Sequence, residues 1–502
     1  MSTMATGDEI PFETLQDMVF MGPDALTSTE EILGMTRKIM WPQFLTERER
    51  LHRIGMWFKG YQERPILPRA ATRELTQLLE LSRTPWLGLA VTTVAQALFV
   101  DGYTSPQNAT DTRGAWQTWL ANGMPSKQTA LYKAALGYGY SYAFGLPGVG
   151  PSGSNQAVVR CRSPLDSYAV YEDKANDEWP RYGMEVTWAP NTGLGYPEKT
   201  QAIVYLYDDT FKHKMLLLGA DGARFEYVSS VPHGAGVCPV VRYANELDLE
   251  GNAPGEVEPF IPVAMRIDKT VFDRLLTQHF ASWRVRYITG MSEFADDDAV
   301  QNLESTYRKL QGLKQADILA IPDSEAKVGT LDASDVVQFI TANQSDIETL
   351  SALAQVPSHI LTGQVVNLAA DAIAAARAPL TQKIAQRQVS FGTSHAQLMR
   401  LVAHLEGDEA AAQDYEAAVS WQDMDVRSLA QAADALGKLA LSLGIPKQAL
   451  WAMVPNVTQT QIEEWGEMIL NGDKLTALLN TEVSSDLAVM TEENKMGSGG
   501  QV

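Results

Sequence analysis

One glycine-rich stretch of the sequence has the spacing of a nucleotide-binding turn. Gly148-Val-Gly-Pro-Ser-Gly153 matches the GxGxxG pattern, in which glycines bring the backbone close to a pyrophosphate at the start of a helix. Here the stretch contains a proline and lies between two predicted strands with no helix after it, so we predict a hairpin loop. The sequence has no Gly-x-x-x-x-Gly-Lys-Ser/Thr motif, and it therefore lacks the phosphate loop of an ATPase.

Residues that could bind a metal or exchange protons are dispersed along the chain. The seven histidines are scattered, His395 and His404 lie nine positions apart, and neither His-Glu-x-x-His nor Cys-x-x-Cys occurs. Asp296-Asp-Asp298 is typical of a solvated helix start rather than of a catalytic pair. His359 is interpreted as a solvated side chain, although a protonated imidazole could contact a phosphate. We therefore predict no enzyme activity, no metal and no cofactor.

Composition limits the classes of partner. The 502 residues can form two to four domains. They include 40 basic and 61 acidic residues, a net charge of −21. A chain of this charge is not expected to bind nucleic acid by neutralising phosphates, but an acidic channel could let DNA slide through it.

The sequence also predicts where the protein is found. Cys161 and Cys238 are the only cysteines, which favours a reducing compartment. The acidic start, Met1–Glu9, has no pattern of a signal peptide. The longest nearly apolar run, Gly88–Val100, is too short to span a bilayer. We therefore expect a soluble, intracellular protein with no membrane contact.

Helical patterns dominate up to Gly139, and strand patterns separated by turn residues follow. We predict strands at Tyr140–Phe144, Ala157–Cys161, Tyr168–Tyr171, Arg181–Trp188, Gln201–Tyr207, Lys212–Leu218, Arg224–Val228 and Val237–Tyr243. A long helix over Phe260–Tyr287 then precedes an insert, which holds a helix near Ala299–Leu310 and a strand at Asp317–Ile321. After Gly407 we predict a strand at Ala418–Trp421 and helices at Ser428–Leu443, Pro446–Met453 and Thr458–Leu470.

The stretch from Asp335 to Glu406 predicts two helices joined by an uncharged loop. The first helix carries a broad apolar stripe and stops at Val356-Pro357, because proline removes a backbone donor. The loop Ser358–Asn367 follows, and Leu368–Glu406 reads as helix with kinks at Pro379 and Gly392. Because both apolar stripes must be buried, we expect them to pack against other copies of the chain.

Several short motifs follow one another along the chain, within a region of about residues 30 to 475. They are Val100-Asp-Gly-Tyr103, Trp119-Leu-Ala-Asn-Gly-Met124, Ala134-Ala-Leu-Gly-Tyr-Gly-Tyr-Ser-Tyr142, Arg162-Ser-Pro-Leu-Asp166, Tyr171-Glu-Asp173, Gly236-Val-Cys-Pro-Val-Val-Arg-Tyr-Ala-Asn245, Leu353-Ala-Gln-Val-Pro-Ser-His-Ile-Leu-Thr-Gly363 with Asn367 and Ala372, and Val419-Ser-Trp421 with Arg427-Ser428. This order resembles the portal proteins of tailed double-stranded DNA bacteriophages, specifically the siphophage type of actinobacteriophages. One position departs from the family, which often has serine where Ala369 stands.

The resemblance implies an α+β, portal-like fold. It would be mainly helical, with a small antiparallel β part in the wing, two stem helices flanking an α/β clip, a long kinked helix and a C-terminal helical crown. The implied segments are 1–28 (flexible N-terminal segment), 29–258 (wing, helical part then β-rich part), 259–287 (first stem helix), 288–333 (clip), 334–356 (second stem helix), 357–368 (tunnel loop), 369–420 (long kinked wing helix and return strand), 421–483 (crown) and 484–502 (disordered tail).

The resemblance also implies two functional surfaces. The tunnel loop would face DNA in a channel with Ser358, His359, Ile360, Leu361, Thr362, Gly363, Gln364, Val365, Val366 and Asn367. The clip would bind the terminase and the adaptor with Glu293, Asp296, Asp297, Asp298, Lys309 and Lys314.

The family implies a homo-oligomeric ring, a dodecamer, at one capsid vertex. Double-stranded DNA would be packaged through it and later ejected, without sequence specificity. The implied partners are the major capsid protein, the scaffolding protein, the large terminase and the head-tail adaptor, and the implied location is the virion, with the host cytoplasm before assembly. Two alternatives are an enzyme, such as a packaging ATPase or nuclease, and another ring-forming head-tail connector or tail structural protein.

Overall fold

Helices and short strands make up the computed structural model, which describes residues 26–62, 73–105, 112–150, 153, 155–188, 200–218, 224–282, 286–289, 318–321, 336–364, 370–422, 429–454 and short runs between 457 and 469. Its helices are α1 (Thr29–Met35), α2 (Trp41–Phe58), α3 (Arg73–Ser82), α4 (Trp86–Gln96), α5 (Thr112–Ala121), α6 (Met124–Tyr138), α7 (Ile261–Ser282), α8 (Val336–Ala354), α9 (Ser358–Thr362), α10 (Ala370–Glu406), α11 (Glu409–Ala412) and α12 (Leu429–Leu443). A π-helical turn (Thr36–Met40) joins α1 to α2, and 3-10 turns lie at Glu258–Phe260 and Lys447–Met453.

The strands are β1 (Val100–Thr104), β2 (Tyr140–Leu146), β3 (Val158–Arg162), β4 (Ser167–Val170), β5 (Tyr182–Trp188), β6 (Thr200–Tyr207), β7 (Phe211–Leu218), β8 (Arg224–Pro232), β9 (Val240–Ala244), β10 (Arg286–Thr289), β11 (Ile318–Ile321) and β12 (Ala418–Trp421). The eight strands predicted between Tyr140 and Tyr243 are all present, with ends within a few residues of the prediction. The mixture of helices and small antiparallel sheets confirms the α+β class.

Four sheets organise these strands. The largest has the order β4-β5-β6-β7-β8, and every neighbouring pair in it is antiparallel. A second antiparallel sheet has the order β3-β2-β9. Val149 and Asn155 form a bridge in the turn between β2 and β3, so the glycine-rich stretch is the predicted hairpin loop. β1 pairs with β12 across most of the sequence, and β10 and β11 form a parallel pair.

The described chain divides into two compact units. The first comprises Met1–Arg48, Val94–Pro254 and Ile384–Val502, and the second comprises Glu49–Thr93 and Gly255–Lys383, each taken over its described residues. All sheets except β10–β11 belong to the first unit. α7 and α8 belong to the second unit, which also holds the segment after Pro357.

In the first unit, the N-terminal helices cover the five-stranded sheet. Ile32, Met40 and Phe44 pack in one core cluster with Val204 and Met215 from the sheet. Helix α1 starts with a capping box, in which the Glu31 amide donates to Ser28 Oγ and the Ser28 amide donates to Glu31 Oε2. The N-cap is therefore Ser28. The cap aligns α1 so that its apolar side meets the sheet.

The long helix predicted over Phe260–Tyr287 is shorter in the structure. α7 ends at Ser282, and Arg286–Thr289 is a strand paired with Ile318–Ile321. Tyr287, Ile288 and Thr289 are aromatic or β-branched residues that favour strands, and their partner lies about thirty positions later in the chain. In the described ranges, no helix has both the length and the apolar character needed to cross a bilayer.

Candidate functional site

Helices α7 and α8 pack against each other along their apolar sides. Ala264 and Ile267 of α7 and Ile347 and Leu350 of α8 are buried. The Arg266 guanidinium adds an ion pair, with its Nε 2.7 Å from an Asp346 carboxylate oxygen. Lys383 contacts both Glu256, which precedes α7, and the Ala354 carbonyl at the end of α8, so the two helices run antiparallel. The chain after α8 therefore leaves the pair close to the start of α7.

Helix α8 ends in a Schellman motif built on glutamine instead of glycine. The Val356 amide donates to the Ser351 carbonyl at 3.1 Å, and the Gln355 amide donates to the Ala352 carbonyl at 3.3 Å. Gln355 has a φ of 55°, and in the described part of the chain it is the one residue other than glycine with a positive φ. Ser351 Oγ donates to the Val356 carbonyl at 2.6 Å. These bonds fix the direction in which the chain leaves α8.

The segment Pro357–Gln364, the Pro357 segment, begins with one turn of helix. Pro357 is its N-cap, Thr362 Oγ1 donates to the Ser358 carbonyl at 2.9 Å, and Gly363 ends it in the left-handed conformation. The loop predicted from Ser358 is therefore wrong for its first five residues, because the fixed φ of proline suits a helix start as well as a helix stop. Leu361 is buried, so its side chain packs within the unit.

The remaining predicted channel residues differ in exposure. Ser358, Gly363 and Gln364 are exposed, and His359, Ile360 and Thr362 are partly exposed. Val365, Val366 and Asn367 lie outside the described residues, as do all the predicted clip residues Glu293, Asp296, Asp297, Asp298, Lys309 and Lys314. The same holds for the predicted helix at Ala299–Leu310, for residues 1–25 and for residues 484–502. The predicted flexible N-terminal segment 1–28 is wrong for its last three residues, because Leu26 is buried with its amide bonded to Asp208 and Ser28 caps α1.

The charge on α8 and the Pro357 segment is of one sign. From Val336 to Gln364 the sequence contains no lysine and no arginine, and its acidic residues are Asp346 and Glu348. Asp346 is paired with Arg266 of α7. The surface that this stretch presents is therefore neutral to acidic, and it offers phosphate groups no lysine or arginine side chain.

His395, one of the seven scattered histidines, is fully buried within the first unit. Its Nε2 lies 2.6 Å from the Tyr132 hydroxyl, and its Nδ1 lies 2.9 Å from the Tyr243 hydroxyl. The Tyr132 hydroxyl donates to Gln128 Oε1, which also accepts from the Val100 amide. Tyr132 must therefore accept from His395, which places the imidazole proton on Nε2 and makes Tyr243 the donor to Nδ1.

Asp208, His213 and Ser230 have the residue types of a hydrolase triad, but they form a turn cap. His213 Nε2 lies 3.0 Å from Asp208 Oδ2, and His213 Nδ1 lies 2.6 Å from Ser230 Oγ. The carboxylate also accepts three backbone amides, those of Leu26, Thr210 and Phe211. Burial raises the pKa of Asp208, but the hydrogen bonds, led by that from His213, outweigh it and hold the pKa below its ordinary value. His213 is fully buried, so this cluster is not accessible to a substrate.

The described residues contain no group of three or more His, Cys, Asp and Glu side chains that could hold a metal ion. Residues 39–474 match the family model described as "Phage portal protein, SPP1 Gp6-like", which covers most of the chain. No curated protein matches the sequence.

Proposed function

Because the chain belongs to the SPP1 Gp6-like family of phage portal proteins, which form the DNA-packaging channel of the capsid, we propose that its Pro357 segment faces that channel. The portal family is structural and assembles as a ring at a capsid vertex. The observation that carries the proposal is the absence of lysine and arginine from Val336 to Gln364. The siphophage, actinobacteriophage-like subtype stays a prediction.

A neutral segment suits a channel through which DNA must move. Each strong contact between a cationic side chain and a phosphate would have to be broken at every step, at a cost that depends on salt. Exposed Ser358 and Gln364 can touch the duplex through weak hydrogen bonds that exchange with water. The overall charge of −21 repels phosphates at long range and so favours sliding over binding.

The ring would consist of twelve copies joined by head-to-tail contacts that close on themselves. Val337 and Ile340 of α8, together with Met265 of α7, are large apolar side chains that are exposed in a single copy. A neighbouring copy would cover them, since apolar surface on a helix pair is stabilised by removal from water. The predicted stem helices would thus form the inner wall of the ring.

The energy for packaging would come from a partner, because the sequence has no ATPase phosphate loop. We assign the insert at residues 288–333 to the clip, where the large terminase would dock during packaging and the head-tail adaptor afterwards. Deleting residues 296–311 should then abolish binding of both partners in a pull-down, and retained binding would remove the assignment. The major capsid protein and the scaffolding protein would contact other parts of the ring during assembly in the host cytoplasm.

The substitution Gln364→Lys tests the channel role of the Pro357 segment. Twelve added cations would bind phosphates of the duplex, so we expect packaging in a reconstituted terminase assay to slow or stall, most strongly at low salt. Gln364→Glu is the matched control, because it changes the same side chain but adds no attraction for phosphate. Equal packaging rates for the lysine variant and the wild type would contradict contact between this segment and DNA.

A further inference from the structure

A buried lysine from α10 binds the last carbonyl of α8. Lys383 Nζ lies 2.8 Å from the Ala354 carbonyl oxygen, and the lysine is 6 % exposed. The same ammonium forms an ion pair with the Glu256 carboxylate, which is 8 % exposed. Lysine and glutamate are almost never buried unless they are paired, so the ion pair offsets the cost of removing both charges from water.

Lys383 supplies the hydrogen bond that the Schellman motif leaves open. That motif satisfies the carbonyls of Ser351 and Ala352, but the Ala354 carbonyl at the helix end has no backbone donor in it. A lysine ammonium suits this place, because the C-terminal end of a helix carries a partial negative charge. The end of α8 is therefore held by a side chain that comes from elsewhere in the chain.

The bond also closes the base of the Pro357 segment. Lys383 lies 29 positions after Ala354, and the Pro357 segment lies between them. Glu256 precedes α7 and so adds the start of the first long helix to the same point. A chain segment closed at its base has fewer positions available to it than one that is open.

We propose that Lys383 is the positioning residue of the Pro357 segment. Lys383 joins the end of α8 to α10 and to Glu256, and it thereby fixes the position at which the Pro357 segment begins. Its consequence for DNA rests on the proposed channel function, whereas its effect on the position of the segment does not.

The double variant Lys383→Met with Glu256→Met separates positioning from stability. Removing one partner would deprive the other buried charge of this ion pair, whereas replacing both with apolar side chains of similar size is often neutral for stability. We expect an unchanged melting temperature and unchanged ring mass for the full-length double variant. Because the Ala354 carbonyl loses its donor, hydrogen exchange at the amides of Val356, Ile360 and Gly363 should be on the order of tenfold faster, and packaging should slow.

The pair Arg387 and Glu246 provides a matched control, one helical turn further along α10. Its side chains lie 3.2 Å apart, and Arg387→Met with Glu246→Met should leave exchange in the Pro357 segment unchanged. The swap Lys383→Glu with Glu256→Lys is a second test, because it keeps the ion pair but places a carboxylate at the Ala354 carbonyl. The swap variant should also raise the exchange rates in the Pro357 segment. It therefore still tests the proposal if the double methionine variant does not fold.

If the folded double variant or the swap variant exchanges amide hydrogens in the Pro357 segment as slowly as the wild type, Lys383 does not position the segment. Faster exchange with normal packaging would support that role and would instead contradict the proposed channel contact. Faster exchange together with slower packaging supports both.

Discussion

At position 395 the protein encloses an imidazole, a group suited to proton or metal chemistry at neutral pH, within aromatic rings. The ring centroid of His395 lies 5.0 Å from that of Trp119 and 6.0 Å from that of Trp421. Burial lowers the pKa of His395 from 6.5 to about 3, so the imidazole stays neutral. The sequence could have shown the burial, because His395 shares a helix face with the apolar residues Phe391 and Leu398. It could not have shown the two tyrosine partners, which come from distant positions.

Substitution His395→Phe should lower stability at pH 7 by about 1–3 kcal/mol, because two buried tyrosine hydroxyls lose their bonds to the imidazole. The deficit should shrink as the pH falls. Between pH 6.5 and about 3, the unfolded wild-type chain takes up a proton at position 395 and the folded chain does not. Wild-type stability therefore falls by about 1.4 kcal/mol per pH unit in this window, and the phenylalanine variant lacks this loss.

Urea unfolding followed by the fluorescence of the nearby tryptophans measures this difference. Tyr243→Phe is the control, because it removes one hydroxyl but keeps the imidazole, so its deficit should not shrink in the same way. A constant difference between wild type and His395→Phe from pH 7 to pH 4.5 would show that His395 is not held neutral.

Among the elements, local sequence patterns predict most of the strands but carry no information about which strands pair. The strands between Tyr140 and Tyr243 have alternating apolar residues and are separated by turns, and these signals are local. β10 was missed because its pairing with β11 depends on residues about thirty positions away. Proline and glycine flank the Pro357 segment and so predict a loop, although one turn of helix fits between them. Lys383 was also missed, since a lone lysine in a long helix usually lies in solvent.

Gln355, the left-handed residue at the end of α8, is a position where substitution by glycine should raise stability rather than lower it. Gln355→Gly should stabilise the protein by up to about 1 kcal/mol, because glycine adopts a positive φ without the steric cost that glutamine carries. The increase should appear as a higher melting temperature.

Gln344→Gly is the matched control for this prediction. Gln344 is exposed within α8, where glycine should destabilise by about 1 kcal/mol. Destabilisation by both substitutions would show that residue 355 does not need the left-handed conformation.

For the whole molecule, function was predicted from composition and motif order rather than from a single site. The acidic charge disfavours DNA binding by neutralisation, and the family match over residues 39–474 identifies a portal. One chain does not show which of its surfaces contact other copies, because a surface that a neighbour covers in the ring is exposed in the isolated chain. We propose that the exposed apolar side chains of α8 form such a surface.

Paired substitutions Val337→Asp and Ile340→Asp should prevent ring formation while leaving the fold of each copy intact. Both side chains are exposed, 63 % and 47 %, so aspartate is tolerated in a single copy. In a ring, the carboxylates would be buried against a neighbour without partners, which is strongly unfavourable. Native mass spectrometry should give a mass near twelve times 55.1 kDa for the wild type and the mass of one chain for the variant.

Thr349→Asp, on the opposite side of α8 from Ile340, should still form rings. If the paired variant assembles to the same mass as the wild type, the apolar side of α8 does not lie between neighbouring copies.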